Sequence, residues 1–366
     1  MTAVRRVLGA LVAPLVAVVA AMAITSIVIM ASGSSPGDFW EVILEPPADR
    51  TMVNIVNQTS MIFLSALAAA IGFRMNLFNI GVEGQYQVAS YAAAVTVGAA
   101  FVPGLLNVVL GLVVAMVAGA AWAGIAGLLK VTRGVSEVIS TIMLNAIAVT
   151  LVGYLLNTYG IRAGNSLRTT EIPESSQLAG FTPFLDRDGS IWTLSILAVV
   201  AGIGFSFLLN RTSFGFDLRA TGASETAAVA SGVKVNRMVI ISMMMSGAIA
   251  GLIWMPAFFG AAHTYGSTFQ FQLGFTGIAV ALLGRNRPLG IVFGALLFAF
   301  LNEQSNRLTL LTDISQNVVQ ITQGVIVLAV VVAYEVVRRR QQAAEQNAVK
   351  RQLDAAKPSD DKAVTA

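Results

Sequence analysis

Several residue types are scarce in this 366-residue chain. It has no cysteine, a single histidine (His263) and only 11% charged residues, against about 25% in soluble domains. Without cysteine, neither a disulfide framework nor a thiolate metal site can form. One histidine cannot build a multi-histidine metal site, and it leaves little scope for acid–base catalysis. The chain also lacks any Gly-x-x-x-x-Gly-Lys-Ser/Thr run, so it carries no phosphate loop of its own. An enzyme is therefore not expected, nor any metal or cofactor held by this chain.

Apolar residues make up 56% of the chain. No Asp, Glu, Lys or Arg occurs in 7–37, 51–73, 84–129, 138–161, 191–210, 238–284 or 314–334. A spanning helix needs about 20 mostly apolar residues, so most of these runs can cross a bilayer and two can cross it twice. The class is an all-α polytopic membrane protein. Net charge is +4, and the excess sits in short loops and at the last helix end, as the positive-inside rule requires. It indicates topology and no nucleic-acid partner.

Read in order, Arg5 and Arg6 hold the start of a first helix (7–30) on the cytoplasmic side. That apolar run exceeds the about 7–15 residues of a signal-peptide core, so a retained helix is expected. Further helices are expected at 52–73, 79–99, 104–130, 137–157, 191–210, 238–262, 270–284, 288–302 and 314–337. The loop 32–50 is acidic and external, and the connection 130–135 is basic and internal. This gives about ten spans, with both termini cytoplasmic. The transmembrane domain covers 1–337, including a cytoplasmic segment 211–237, and a polar cytoplasmic tail covers 338–366.

One stretch interrupts the apolar pattern. Residues 73–86 (FRMNLFNIGVEGQY) carry an arginine, two asparagines, a glutamate and two glycines. Such a break is tolerated in hydrocarbon only where protein or water satisfies the freed backbone. Its core, Phe78-Asn79-Ile80-Gly81-x-x-Gly84, returns as Phe271-Gln272-Leu273-Gly274-x-x-Gly277. In the ten-span topology the first copy opens an outward helix and the second an inward one. The copies would then form an inverted repeat, a pointer to a transport pathway. Glu83, in the first turn of its helix, would offset the helix dipole. Gly247-x-x-x-Gly251 would permit close helix packing.

The segment 211–237 contains a short Ala-rich run, 224–230, between Gly222 and Gly232. Glycine at a helix end permits the left-handed turn that stops it. The run is either a helix that docks on a partner or an ordinary capped loop.

Three runs carry a resemblance: Asn79-Ile80-Gly81-Val82-Glu83-Gly84-Gln85, the run 137–145 (EVISTIMLN), and 274–290 (GFTGIAVALLGRNRPLG). Together they resemble permease subunits of ABC importers of the branched-chain amino acid and ribose superfamily, and most resemble the nucleoside-type members. The resemblance implies a type II-like importer permease in a bacterial cytoplasmic (inner or plasma) membrane. It implies a nucleoside substrate and ATP bound by a separate ATPase subunit. It also implies a second related permease forming a heterodimer, and an external solute-binding lipoprotein. The coupling helix would lie at 222–232, with Gly222, Ala223, Glu225, Ala227, Ala228 and Gly232 facing the ATPase.

Polar or aromatic side chains within spans are candidates for the pathway by default. Those candidates are Asn57, Gln58, Gln85 and Asn145, with Gln87, in the first half, and Phe271, Phe275, Asn302 and Gln304 in the second. A nucleoside offers a flat base for stacking and polar edges for hydrogen bonding. Amides that merely bond across helices, as packing glue, are the alternative for each. A sugar or branched-chain amino acid is the alternative substrate. An ion-coupled carrier is the alternative class, for which Glu83 is nearly the only intramembrane acid.

Overall fold

The computed structural model describes residues 19–31, 33–182, 189–312 and 317–332, with the single positions 336, 339 and 346. The start of the first expected helix and the tail after 346 lie outside the described residues. The helices are α1 (Val19–Ala31), α2 (Pro36–Leu44), α3 (Asp49–Arg74), α4 (Val82–Gly98), α5 (Gly104–Arg133), α6 (Glu137–Tyr159) and α7 (Ile196–Arg211). They continue as α8 (Ser213–Ala223), α9 (Glu225–Ala230), α10 (Val235–Gly251), the single turn α11 (Met255–Ala257), α12 (Leu273–Leu283), α13 (Pro288–Leu311) and α14 (Asn317–Val332). Strands β1 (Ile161–Ala163) and β2 (Ser166–Arg168) form a small antiparallel hairpin. The described residues divide into two compact units, one within 38–316 and the other made of those before 38 and after 316.

Within 38–316, α3 is the axis. It buries a row of small residues, Ser65, Ala66, Ala68, Ala69, Ala70 and Gly72, so neighbouring helices come close to its backbone. The α5–α10 crossing uses the same device. A Cβ at Gly119 would collide with the carbonyl of Gly247, one at Gly247 with that of Gly119, and one at Gly251 with that of Ala115. The Gly247/Gly251 pair thus permits close packing, as its spacing predicts. Outward faces are apolar: Leu105, Leu106, Val109, Val113 and Val117 on α5, and Ile139, Met143, Ile147 and Tyr154 on α6, are exposed. Among the described residues, six helices are long and apolar enough to cross a membrane, and α1, α12 and α14 are shorter apolar helices.

The structure moves several expected boundaries for one reason: apolar windows do not reveal where backbone N–H groups find acceptors. The helix expected from 79 begins at Val82, because Asn79 Oδ1 accepts the Gly81 N–H at 3.0 Å and holds the preceding residues in a turn. The helix expected from 191 begins at Ile196, behind a 3₁₀ turn over Thr193–Ser195, because the Trp192 N–H goes to Asn57 Oδ1 at 3.0 Å. The helix expected over 238–262 stops at Gly251 and resumes as a turn and a π-turn at Phe258–Ala262. The acidic loop 32–50 contains the helix α2, and the loop 159–190 contains the β-hairpin. That loop packs back through Thr169 N to Tyr265 O (2.8 Å), Ile172 N to His263 O (3.1 Å) and Leu178 N to Phe259 O (3.0 Å).

Candidate functional site

The two copies of the broken motif meet. Glu83 stands in the first turn of α4, yet its carboxylate serves another helix. Oε1 accepts the Gln272 N–H at 2.8 Å and Oε2 the Gly274 N–H at 2.9 Å. These are two of the unpaired donors at the start of α12. The second copy's helix is therefore capped by the first copy's acid, whereas the sequence pointed to the dipole of α4 itself. The contact is close: a Cβ at Gly274 would lie 2.5 Å from Glu83 N and 2.6 Å from its Cα. Gln87 Nε2 lies 3.3 Å from Glu83 Oε1. The Tyr86 hydroxyl lies 3.2 Å from the same oxygen and 2.6 Å from Gln270 O. Its one proton favours the shorter contact.

Several freed groups of the first break also find side chains from other helices. Asn145 on α6 accepts the Gly84 N–H at 2.9 Å and donates to Ile80 O at 3.0 Å. Asn79 and Gln85 pair their amides reciprocally at 2.9 and 3.1 Å. Asn79 Nδ2 also reaches Ser246 Oγ on α10 at 2.8 Å, and Ser246 donates to Ala68 O on α3 at 2.6 Å. From α3, Ser65 donates to Leu273 O at 2.7 Å. Four helices thus supply the polar groups that a break in hydrocarbon requires. At its lower end, Glu137 Oε1 accepts the Phe78 N–H at 3.3 Å, and Oε2 meets Lys130 Nζ at 2.6 Å.

Around this crossing lie six of the nine expected pathway residues, Gln87 at the clamp among them. Gln85 and Asn145 are buried within the network. Gln58 Nε2 donates to Gln270 Oε1 at 3.2 Å. Phe271 (59% exposed) sets its edge against Phe269, centroids 5.0 Å apart, and Phe275 (47% exposed) follows one turn on. Phe269 stacks on Tyr86 at 5.2 Å and packs edge-on to Trp254 at 5.1 Å. Gln272, between the exposed phenylalanines and the clamp, takes a left-handed backbone, φ 71°, a strained state for a residue with a side chain.

The other three lie elsewhere. Asn57 is buried and joins α3 to the entry of α7, donating to Ser190 O at 3.0 Å. Gln304 is buried on α13, and its Nε2 reaches carbonyls at and just past the end of α2: Val42 (3.1 Å), Ile43 (3.2 Å) and Glu45 (2.9 Å). Asn302 is half-buried two residues before it. Sequence reading missed Ser65, Ser246, Tyr86 and Gln270. Serine among alanines on an apolar helix gives little warning of its partner.

The segment 211–237 forms two helices where one was expected. Thr212 Oγ1 caps α8 by accepting the Gly215 N–H at 3.0 Å, and Ser224 Oγ caps α9 by accepting the Ala227 N–H at 3.3 Å. Gly232, φ 84°, ends α9, with the Val233 N–H returning to Ala228 O at 3.0 Å. Ala223, Glu225 and Ala227 are exposed, and Ala228 is buried beneath them. Gly222 lets α8 close on α3, since a Cβ there would collide with the Arg74 carbonyl at the end of α3. Among the described residues there is no group of three or more potential metal ligands.

Comparison with known proteins places this chain in a family. A guanosine ABC transporter permease of Bacillus subtilis, NupP, is 34% identical over 90% of this chain and 95% of its own length. A nucleoside ABC transporter permease of Lactococcus lactis, NupB, is 31% identical over 79% of this chain and 82% of its own. A glucose ABC transporter permease of Haloferax volcanii, TsgB13, is 26% identical over 86% and 85%. The family model for the permease component of branched-chain amino acid transport systems matches residues 51–333. The chain belongs to that family: it is a multi-pass membrane permease, the transport component of an ABC system and not an enzyme.

Proposed function

We propose that this chain forms the translocation pathway of an ATP-driven importer for nucleosides. The observation that carries the reading is the clamp of Glu83 on the start of α12. Eleven residues of helix rise about 16 Å, roughly half the thickness of the hydrocarbon layer. With the turn after α12 at the cytoplasmic face, the two helix starts meet near mid-membrane, where transporters place their sites. In a ten-pass topology with both termini inside a bacterial plasma membrane, α4 and α12 run in opposite directions from that point, which is the inverted repeat of a type II importer permease. The basic ends of α5, α7, α10 and α12 support that orientation.

Around the crossing, Phe271 and Phe275 supply ring faces for a base and Gln58 an amide for its edges and hydroxyls, while Gln85 and Asn145 hold the broken segment that shapes the site. Asn57 and Gln304 hold neighbouring segments in place. The nucleoside assignment rests on the two relatives above 30% identity; the glucose permease keeps a sugar in the test. The α8–α9 pair at 211–237 docks on a separate ATPase subunit, which binds the ATP, with Gly222, Ala223, Glu225, Ala227, Ala228 and Gly232 in the docking element. A solute-binding lipoprotein delivers substrate outside, and a second, related permease completes a heterodimer.

The test is uptake of labelled guanosine, uridine and ribose into vesicles holding the assembled system. ATP-dependent nucleoside uptake that other nucleosides, but not ribose, compete away is expected. Ribose uptake alone would remove the substrate assignment, and uptake that follows a proton gradient without ATP would remove the mechanism. Glu225→Lys with Ala227→Trp, both on the exposed face, should abolish uptake while leaving the permease folded in the membrane.

A further inference from the structure

The turn Gly284-Arg285-Asn286-Arg287-Pro288 plays no part in the pathway, yet its geometry is tightly set. Arg285 and Asn286 both hold left-handed backbones, φ 54° and 55°, and two left-handed residues in a row are costly without support. The support is visible. Gly284 and Gly290 approach so closely that a Cβ at Gly284 would lie 2.6 Å from Gly290 C. Across the gap, Arg74 at the end of α3 donates to Asn286 O through Nε at 3.1 Å and Nη2 at 2.8 Å.

What this turn displays is positive charge. The charges of Arg287 and of Arg219 on α8 both fall on the Arg74 guanidinium. Arg287 is exposed. Among the described residues, the ion pairs are Lys130–Glu137, Arg168–Glu171 and Arg307–Glu45, and none includes Arg74, Arg219 or Arg287. Arg219 Nη1 is buried without an acceptor. A buried charged donor left unmade is unfavourable, and the like charges bearing on Arg74 add to it. An anionic acceptor resolves both.

We propose that Arg74, Arg219 and Arg287 form a second docking point for the ATPase subunit, receiving an acidic side chain beside the α8–α9 docking helices. The proposal rests on the ATPase-coupled reading above. A protein carboxylate is favoured over a lipid phosphate because the cluster adjoins the docking element: Gly222 packs on the Arg74 backbone. Arginine's fork suits a carboxylate in two-point contact. The site also has a mechanical outlet. The turn ends α12, whose other end is the Glu83 clamp with Phe271 and Phe275 beside it. A carboxylate that pulls on Arg287 moves a rigid 11-residue rod into the candidate pathway.

The experiment measures binding of the ATPase subunit to the full permease in nanodiscs of neutral phosphatidylcholine, at rising salt. Arg287→Glu should weaken binding by about tenfold or more at ~0.1 M salt, with the gap to wild type closing as salt screens the charges. Arg287→Lys should lose less. Melting of each permease alone reports folding; if Arg287→Glu misfolds, Arg219→Gln takes its place, with the same expectation. Unchanged binding in a folded variant overturns the proposal. So does wild-type binding that needs phosphatidylglycerol in the disc and an Arg287→Glu variant that loses only that lipid dependence, since the cluster would then be a lipid site. No binding by wild type at any salt would instead overturn the ATPase-coupled reading itself.

Discussion

Replacing Glu83 by alanine removes the acceptor for two backbone donors at the start of α12, Gln272 N and Gly274 N. Gly274 is buried, so its N–H finds no water in exchange. A charge-assisted hydrogen bond contributes about 1.5–3 kcal/mol, so the pair amounts to ~3–5 kcal/mol once partial relaxation is allowed. Glu83→Gln keeps one acceptor oxygen but aims an NH2 at the other donor, and should lose about half of that, ~1.5–3 kcal/mol. The effect is local first. At 1.4 kcal/mol per tenfold, amide exchange over 272–276 should speed up by about two to three powers of ten in Glu83→Ala. The core of α5, which does not touch the clamp, should keep its protection. Hydrogen exchange read by mass spectrometry on the permease in nanodiscs distinguishes the two segments. Equal protection of 272–276 in wild type and Glu83→Ala would refute the clamp.

Three further outcomes follow from the same contacts. Asn145→Leu leaves Gly84 N and Ile80 O unpaired inside the bundle and should cost ~2–4 kcal/mol, seen as a lower melting temperature in detergent; Asn145→Asp should cost less, since it keeps the acceptor for Gly84. Gly247→Val has no room against Gly119 and Ala123 and should force α5 and α10 apart, read as loss of folded protein on size exclusion, whereas Gly153→Ala, with nothing near it, should be silent. Gln304→Leu removes the two N–H donors shared by three carbonyls at the end of α2 and should loosen that helix to protease by ~10-fold or more, without changing exchange at the clamp.

Much of the architecture was legible because the bilayer simplifies the code. Charge-free runs mark spans, clustered arginines mark one side, and a polar break in an apolar run must be functional or supported. The twin motif at 78–84 and 271–277 was visible for that reason, and so were the small-residue seam at Gly247 and the end of α9 at Gly232. Glu83 was visible as an intramembrane acid but not as the cap of a helix about 190 residues away, because capping partners in space leave no spacing in sequence. Gln304 looked like a pathway amide on the same grounds as Gln85. Only the groups they meet separate them: the carbonyls of a short helix in one case, the side chain of Asn79 in the other. Within 211–237 the run of α9 was visible between its glycines, but α8 was not, because Gly215, Thr221 and Gly222 are weak helix formers and its support comes from the Thr212 cap and from packing on the end of α3.

The clamp between the two motif copies also bears on how the chain is made. Residues are threaded into the membrane from the amino end, and domains take shape as they emerge. When α3 and α4 enter the bilayer, the partners of Glu83 have not yet been synthesised; Gln272 and Gly274 arrive about 190 residues later. At about 5–20 residues per second, that interval lasts roughly 10–40 seconds. Through it, the acid and its broken segment must stay in water, at the interface or against the insertion machinery. The first half of this permease therefore cannot mature before the second half is delivered.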